Sequence, residues 1–102
     1  MIYNYTTILS GEIRGSQVSE SLPDVACALV KFKARSSNSG SVFLGYTTDT
    51  AGLTVPEGNN DTTSGFELAP GDDSGWIPID NLNKFYRICD TNGDNLTYLA
   101  LR

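Results

Sequence analysis

Histidine is missing from this chain of 102 residues. Its absence removes the commonest general base and the commonest transition-metal ligand. Cysteine is scarce: Cys27 and Cys89 are the only two. With no export signal in view they read as two small, half-buried hydrophobes in a reducing compartment rather than as a disulfide framework. Cations are few, seven Lys and Arg against twelve Asp and Glu, a formal charge of −5. Nucleic-acid sites need clustered Lys and Arg to displace counterions, so no nucleic-acid partner is expected. No apolar run approaches the roughly 18–20 residues of a membrane span, so no membrane partner is expected either. The opening MIYNYTTILSGEIRG has neither a basic segment nor a long apolar one, so the protein reads as made and used without export by that route.

What is present is a strand-and-turn alphabet. The length fits one domain over 1–102. Residues 2–9, IYNYTTIL, are rich in β-branched and aromatic types and read as a first strand or an extended N-terminal arm, which Ser10-Gly11 breaks. Glu12 to Val18 reads as a second short strand, and Ser19 to Asp24, with Pro23, as a connection. Val25 to Ala34 alternates, with Ala28, Val30, Phe32 and Ala34 on one face and Leu29, Lys31 and Lys33 on the other. That is the pattern of a half-buried antiparallel strand. RSSNSG turns the chain at 35–40, and Ser41 to Thr47 reads as a strand hairpin-paired with the previous one.

Residues 48–64 form the longest irregular stretch, a loop in which Leu53, Thr54 and Val55 read as an edge strand ended by Pro56. Phe66 and Leu68 begin an extended run, and Ala69-Pro70-Gly71 turns it. Gly75 to Ile79 is a strand in which Trp76 alternates with Ile77, so one of the two faces outward. Asp80 to Asn83 is a polar corner. Lys84 to Cys89 is a strand with Tyr86 and Ile88 on one face. Thr91-Asn92-Gly93-Asp94 reads as a type I′ hairpin, and Leu96 to Leu101 closes the domain. Seven to nine short strands with no convincing helix imply an all-β chain. The expected fold is an antiparallel β-sandwich, of either jelly-roll or immunoglobulin-like topology.

Catalytic and cofactor patterns are thin. Asp90 to Asn95 resembles the start of a calcium loop, but Asn95 stands at its sixth position and Leu101 at its twelfth, where Gly and Glu are needed. Asp72-Asp73 and the acidic stretch at 57–61 would serve glycoside cleavage only if two carboxylates faced each other at about 5–9 Å. In turns this rich in Gly, Pro and Asn they read as solvated loop charge. Neither cysteine has a motif around it, and no Gly-rich loop precedes a helix. The expectation is therefore a protein that is not an enzyme and needs no cofactor or metal. Trp76, with Tyr3, Tyr5, Tyr46 and Tyr98, is an aromatic set suited to a sugar platform or a protein contact. The candidate partner-binding residues are Ile2, Tyr3, Tyr5, Leu53, Val55 and Trp76. The arm at 1–9 is suited either to adding a strand to a neighbour's sheet edge or to forming the first strand of its own sandwich.

Three segments carry a family resemblance: LPDVACALVKFKA (Leu22 to Ala34), NSGSVFLGYT (Asn38 to Thr47) and GFELAPGDDSGWIPIDNLNKFYRICDTNGDNLTYLAL (Gly65 to Leu101). Together they resemble a group of small virion proteins of tailed bacteriophages. The most telling run is GFELAPG followed by IDNLNKFYRICDTNGDNLTYLAL. The match covers roughly the last four-fifths of the chain, and its motifs are structural. The first twenty residues have no counterpart, and 48–64 is longer than the pattern. The resemblance implies a capsid cement or decoration protein on the outer surface of the assembled head, made in the bacterial host cytoplasm. It further implies the major capsid protein as partner and a homotrimer as the common form. A carbohydrate-binding sandwich of a tail fibre or baseplate, with a glycan as partner, is the rival expectation.

Overall fold

The computed structural model describes residues 5–45 and 65–102. Eight strands are described: β1 (Ile8–Arg14), β2 (Glu20–Ser21), β3 (Leu29–Ala34), β4 (Val42–Gly45), β5 (Phe66–Leu68), β6 (Asp73–Pro78), β7 (Tyr86–Cys89) and β8 (Asn95–Leu101). One 3₁₀ turn, Leu82–Lys84, precedes β7. The strands form two antiparallel four-stranded sheets, ordered β1-β8-β3-β6 and β2-β7-β4-β5.

The order follows a rule. β1 pairs with β8, β2 with β7, β3 with β6 and β4 with β5. The chain is thus doubled back on itself, and the doubled ribbon is rolled into two sheets by the β3–β8 and β4–β7 pairings. That is jelly-roll order. Immunoglobulin-like order sets several consecutive strands side by side; here β4 and β5 alone among consecutive strands are paired.

Alternation explains the core. Val30, Phe32 and Ala34 of β3 and Leu96 and Ala100 of β8 point inward from the first sheet. Val42, Leu44, Leu68 and Cys89 meet them from the second. Phe32 is wholly buried and packs edge-to-face on Phe85, with centroids 5.0 Å apart. Burying such a side chain contributes roughly 1.5–3 kcal/mol. β3 and its two faces match the sequence pattern from Leu29 onward.

Several expectations are corrected. Ser10-Gly11 does not break a strand: β1 runs through it to Arg14, so Glu12 to Arg14 is no separate strand. Gly11 stands opposite Tyr98, and a Cβ there would come within 2.7 Å of the tyrosine ring. The glycine makes room for a cross-strand aromatic. Ser19 to Asp24 contains the short β2 and the buried Leu22. The polar corner at 80–83 carries Leu82, which is wholly buried. Asn81 caps the turn, its side-chain oxygen accepting from Asn83 N–H at 2.9 Å and Val25 N–H at 3.1 Å.

β3 and β4 are not a hairpin; they lie in different sheets. Nor do β7 and β8 pair across a type I′ turn: only Gly93 has positive φ there, at 91°. Both corners cross between the sheets, and they are bonded to each other. Asn38 bridges like a strand residue, donating to the Asn95 carbonyl and accepting from Asn95 N–H, both at 2.9 Å. The buried Asp94 carboxylate accepts from Ser39 N–H at 3.0 Å and Gly40 N–H at 2.8 Å. The edge strand expected at Leu53 to Val55 lies outside the described residues.

Candidate interaction face

The first sheet has a second face, turned away from the core. Strand parity places Ile8 (β1), Leu99 and Leu101 (β8), Leu29 and Lys31 (β3), and Trp76 and Pro78 (β6) on it. Register aligns them in rows across the strands. One row runs Ile8, Leu101, Leu29, Pro78 and is wholly apolar. The next runs Ser10, Leu99, Lys31, Trp76, and the third Glu12, Thr97, Lys33, Asp73. Polarity therefore rises across the face, from an apolar end to a charged one.

Trp76 is 45% exposed, Leu99 39% and Ile8 73%. Scattered surface hydrophobes need no explanation; these are contiguous in register across four strands. Lys31 lies beside the tryptophan: its Nζ is 5.8 Å from the ring centroid and 3.7 Å from Asp73 Oδ2. Arg35 pairs with Glu12 at 2.5 Å on the same side. Arg14, Lys31, Lys33 and Arg35, four of the chain's seven cations, belong to this face, although the chain as a whole is acidic. A shallow depression lined by Lys31, Lys33, Asp73, Thr97 and Leu99 crosses its charged end.

Of the residues singled out in the sequence, Trp76 lies on this face, outward as parity allowed, with Ile77 turned inward. Tyr5 precedes β1, at the opposite edge of the sheet from Trp76. Ile2, Tyr3, Leu53 and Val55 lie outside the described residues, as does Tyr46. Tyr98 packs against the core over Gly11, and Tyr86 packs with Phe43 and Ile88 on the outer face of the second sheet. Sequence reasoning did not single out Ile8, Leu29, Pro78, Leu99 and Leu101. One signal was available. In NLTYLAL, β8 is apolar at both parities: Leu96, Tyr98 and Ala100 point one way, Leu99 and Leu101 the other. A strand apolar on both faces is covered on both.

A separate apolar cavity of about 390 Å³ opens at one end between the sheets, lined by Leu44, Gly45, Phe66, Ile77, Ile79 and Phe85, with Lys84 at its rim. Of the carboxylates considered for catalysis, those at 57–61 lie outside the described residues, and Asp72 and Asp73 serve turns. Asp72 accepts from Ala69 N–H at 3.1 Å, and Asp73 accepts from Gly75 N–H at 2.9 Å. Both cysteines are free thiols. Burial pushes the Cys89 thiol up to about 11, and burial, aided by the Asp80 charge, raises Cys27 as well. Neither is an activated nucleophile, since activation requires a lowered thiol pKa. Among the described residues no His, Cys, Asp and Glu cluster is arranged to hold a metal ion, and no helix is long and apolar enough to cross a membrane.

The chain matches no protein-family model, no curated protein and no solved structure.

Proposed function

We propose that this protein is a capsid decoration protein, which binds the outer surface of an assembled phage head and stabilises it by non-covalent contacts between capsomers. The observation that carries the reading is the second apolar face. Val30, Phe32, Leu96 and Ala100 already give the first sheet a complete inner side. Leu99, Leu101, Leu29, Trp76 and Pro78 add nothing to that core, yet lie contiguous on the other side. Such a face is the anchor of a protein contact, with a central tryptophan and a charged rim. The resemblance of the Leu22–Ala34, Asn38–Thr47 and Gly65–Leu101 segments to phage virion proteins supplies the capsid as the partner. The fold alone does not choose, because jelly rolls serve in capsids and in lectins alike.

A glycan-binding module of a tail fibre or baseplate is less well supported. It needs a second aromatic coplanar with Trp76. Among the described residues, the register neighbours of Trp76 on this face are Lys31 and Leu99, and Tyr98 is turned inward.

A ligand that binds only the assembled shell stabilises it by mass action. Particles carrying the protein are therefore expected to rupture at a higher temperature than particles lacking it. Trp76→Ser with Leu99→Ser should remove this protection, since losing a central anchor weakens binding by about thirtyfold or more. The isolated variant should still unfold at the wild-type temperature, because both side chains are outside the core. Equal rupture temperatures with and without the wild-type protein would sink the proposal.

A further inference from the structure

We propose that β1 is a joining edge, through which two copies of this chain pair antiparallel into one continuous eight-stranded sheet. The inference starts from hydrogen-bond parity. Thr7 and Arg102 exchange both of their backbone bonds, Thr7 N–H to the Arg102 carbonyl at 2.7 Å and Arg102 N–H to the Thr7 carbonyl at 3.0 Å. In an antiparallel pair such residues alternate with residues whose backbone groups point away. Thr7, Leu9, Gly11 and Ile13 therefore bond to β8, while Ile8, Ser10, Glu12 and Arg14 turn their N–H and C=O groups outward. Arg87 takes the Arg14 carbonyl, at 3.1 Å. Among the described residues, the outward groups of Ser10 and Glu12 have no partner.

Open strand edges are normally blunted, because they template pairing with another chain. The other described edges are blunted. β6 carries a register shift against β3, Gly75 at φ +73° and Pro78. β2 has two residues and β5 three. β1 has seven, in regular register along its whole length.

The strand complements itself. With the two-fold axis at Gly11, Ser10 of each copy faces Glu12 of the other and exchanges both backbone bonds with it. On the inner side Leu9 meets Ile13, both already packed against the core. The two glycines meet at the axis, where side chains would otherwise approach most closely. Each Glu12 is neutralised by Arg35 of its own chain. No like charges stand directly opposite. A two-fold axis one residue further on would instead set Glu12 against Glu12, which is unfavourable. The axis is perpendicular to the sheet, so both apolar outer faces lie on the same side. The pair therefore presents a doubled docking surface, and two linked contacts bind more tightly than one.

The test is the solution mass of the isolated protein by light scattering over a dilution series, which is independent of any particle assay. Wild type is expected at twice its 11.0 kDa chain mass. Ser10→Pro removes an outward N–H without touching the β8 ladder, and should return the mass to that of one chain with an unchanged circular dichroism spectrum. Ser10→Asp sets a carboxylate against the partner's Glu12 at each of the two contacts and should weaken pairing roughly tenfold, whereas Ser10→Lys should leave it intact. That second pair of variants decides the matter if the proline variant fails to fold. A wild-type monomer or trimer would overturn the proposal. So would a dimer indifferent to Ser10→Pro, or equal effects of Asp and Lys at position 10.

Discussion

Gly15 and Cys89 meet inside the molecule, and the contact is set atom by atom. An added Cβ on Gly15 would overlap Cys89 Sγ and stand 2.6 Å from the Asp94 carbonyl oxygen. That close approach buries the thiol and pushes its pKa up to about 11 from an ordinary value of 9.0. The nearby Arg87 charge offsets only part of the shift. The folded state therefore keeps a proton that the unfolded chain releases between pH 9 and about 11. Stability from this group is complete below pH 9 and falls as pH rises through that window, by on the order of 2 kcal/mol. Denaturant unfolding of wild type and Cys89→Ala across the window checks this. The variant should lack the extra loss, while lysine and tyrosine titrations are common to both. Cysteine as a small hydrophobe was legible in the sequence. Its depth was not, because the residues that cover it come from the segment just after β1 and from the β7–β8 corner.

At the scale of elements, one buried cation organises the turn that joins β1 to β2. Arg87 points inward from β7 and is only 5% exposed. Its Nη1 donates to the Val18 carbonyl at 2.9 Å and the Ser16 hydroxyl at 3.3 Å. Its Nη2 donates to the Arg14 carbonyl at 3.1 Å and to Glu20 Oε1 at 2.7 Å. The Arg87 hydrogen bond, with its charge, holds the Glu20 carboxyl below the usual range. Arg87→Met would leave the Arg14 and Val18 carbonyls and the Glu20 carboxylate without this donor. It is expected to cost about 1–3 kcal/mol in chemical denaturation, the range for hydrogen-bonding groups left without their partner. Glu20→Gln, at a half-exposed site, should cost about 1 kcal/mol or less. Similar losses for the two would show that the backbone acceptors do not matter. The sequence pattern shows Tyr86 and Ile88 sharing a face, and the structure agrees. It does not show that Arg87 and Cys89 take the core side, because both faces of β7 are partly buried.

For the molecule as a whole, topology ranks the strands. β8 and β3 are central in one sheet, β7 and β4 in the other. Their backbone groups are paired on both sides, whereas edge strands are paired on one. Amide exchange in the native protein should therefore be slowest at inner residues such as Val30, Phe32 and Ala100, which open only on global unfolding. In the Ser10→Pro variant, where chains are single, the Glu12 amide should exchange fast. Uniform protection across all eight strands would contradict this ranking.

Alternation and turn residues alone determined that the described chain is nearly all-β, that β3 buries Val30, Phe32 and Ala34, that the chain turns at Pro70-Gly71, and that Trp76 and Ile77 face opposite ways. These are local matters, settled by period-two geometry and by the few residues that suit tight turns. Tertiary structure decided the rest. Jelly-roll and immunoglobulin-like sandwiches share one strand pattern, and the difference lies in pairings such as β1 with β8, between opposite ends of the chain. Pairing partners so distant in sequence leave no local signature in either strand. The same holds for the outer face. Trp76 was legible as an outward residue, but its apolar neighbours arrive from β1, β3 and β8, and only the register between those strands brings them into one surface.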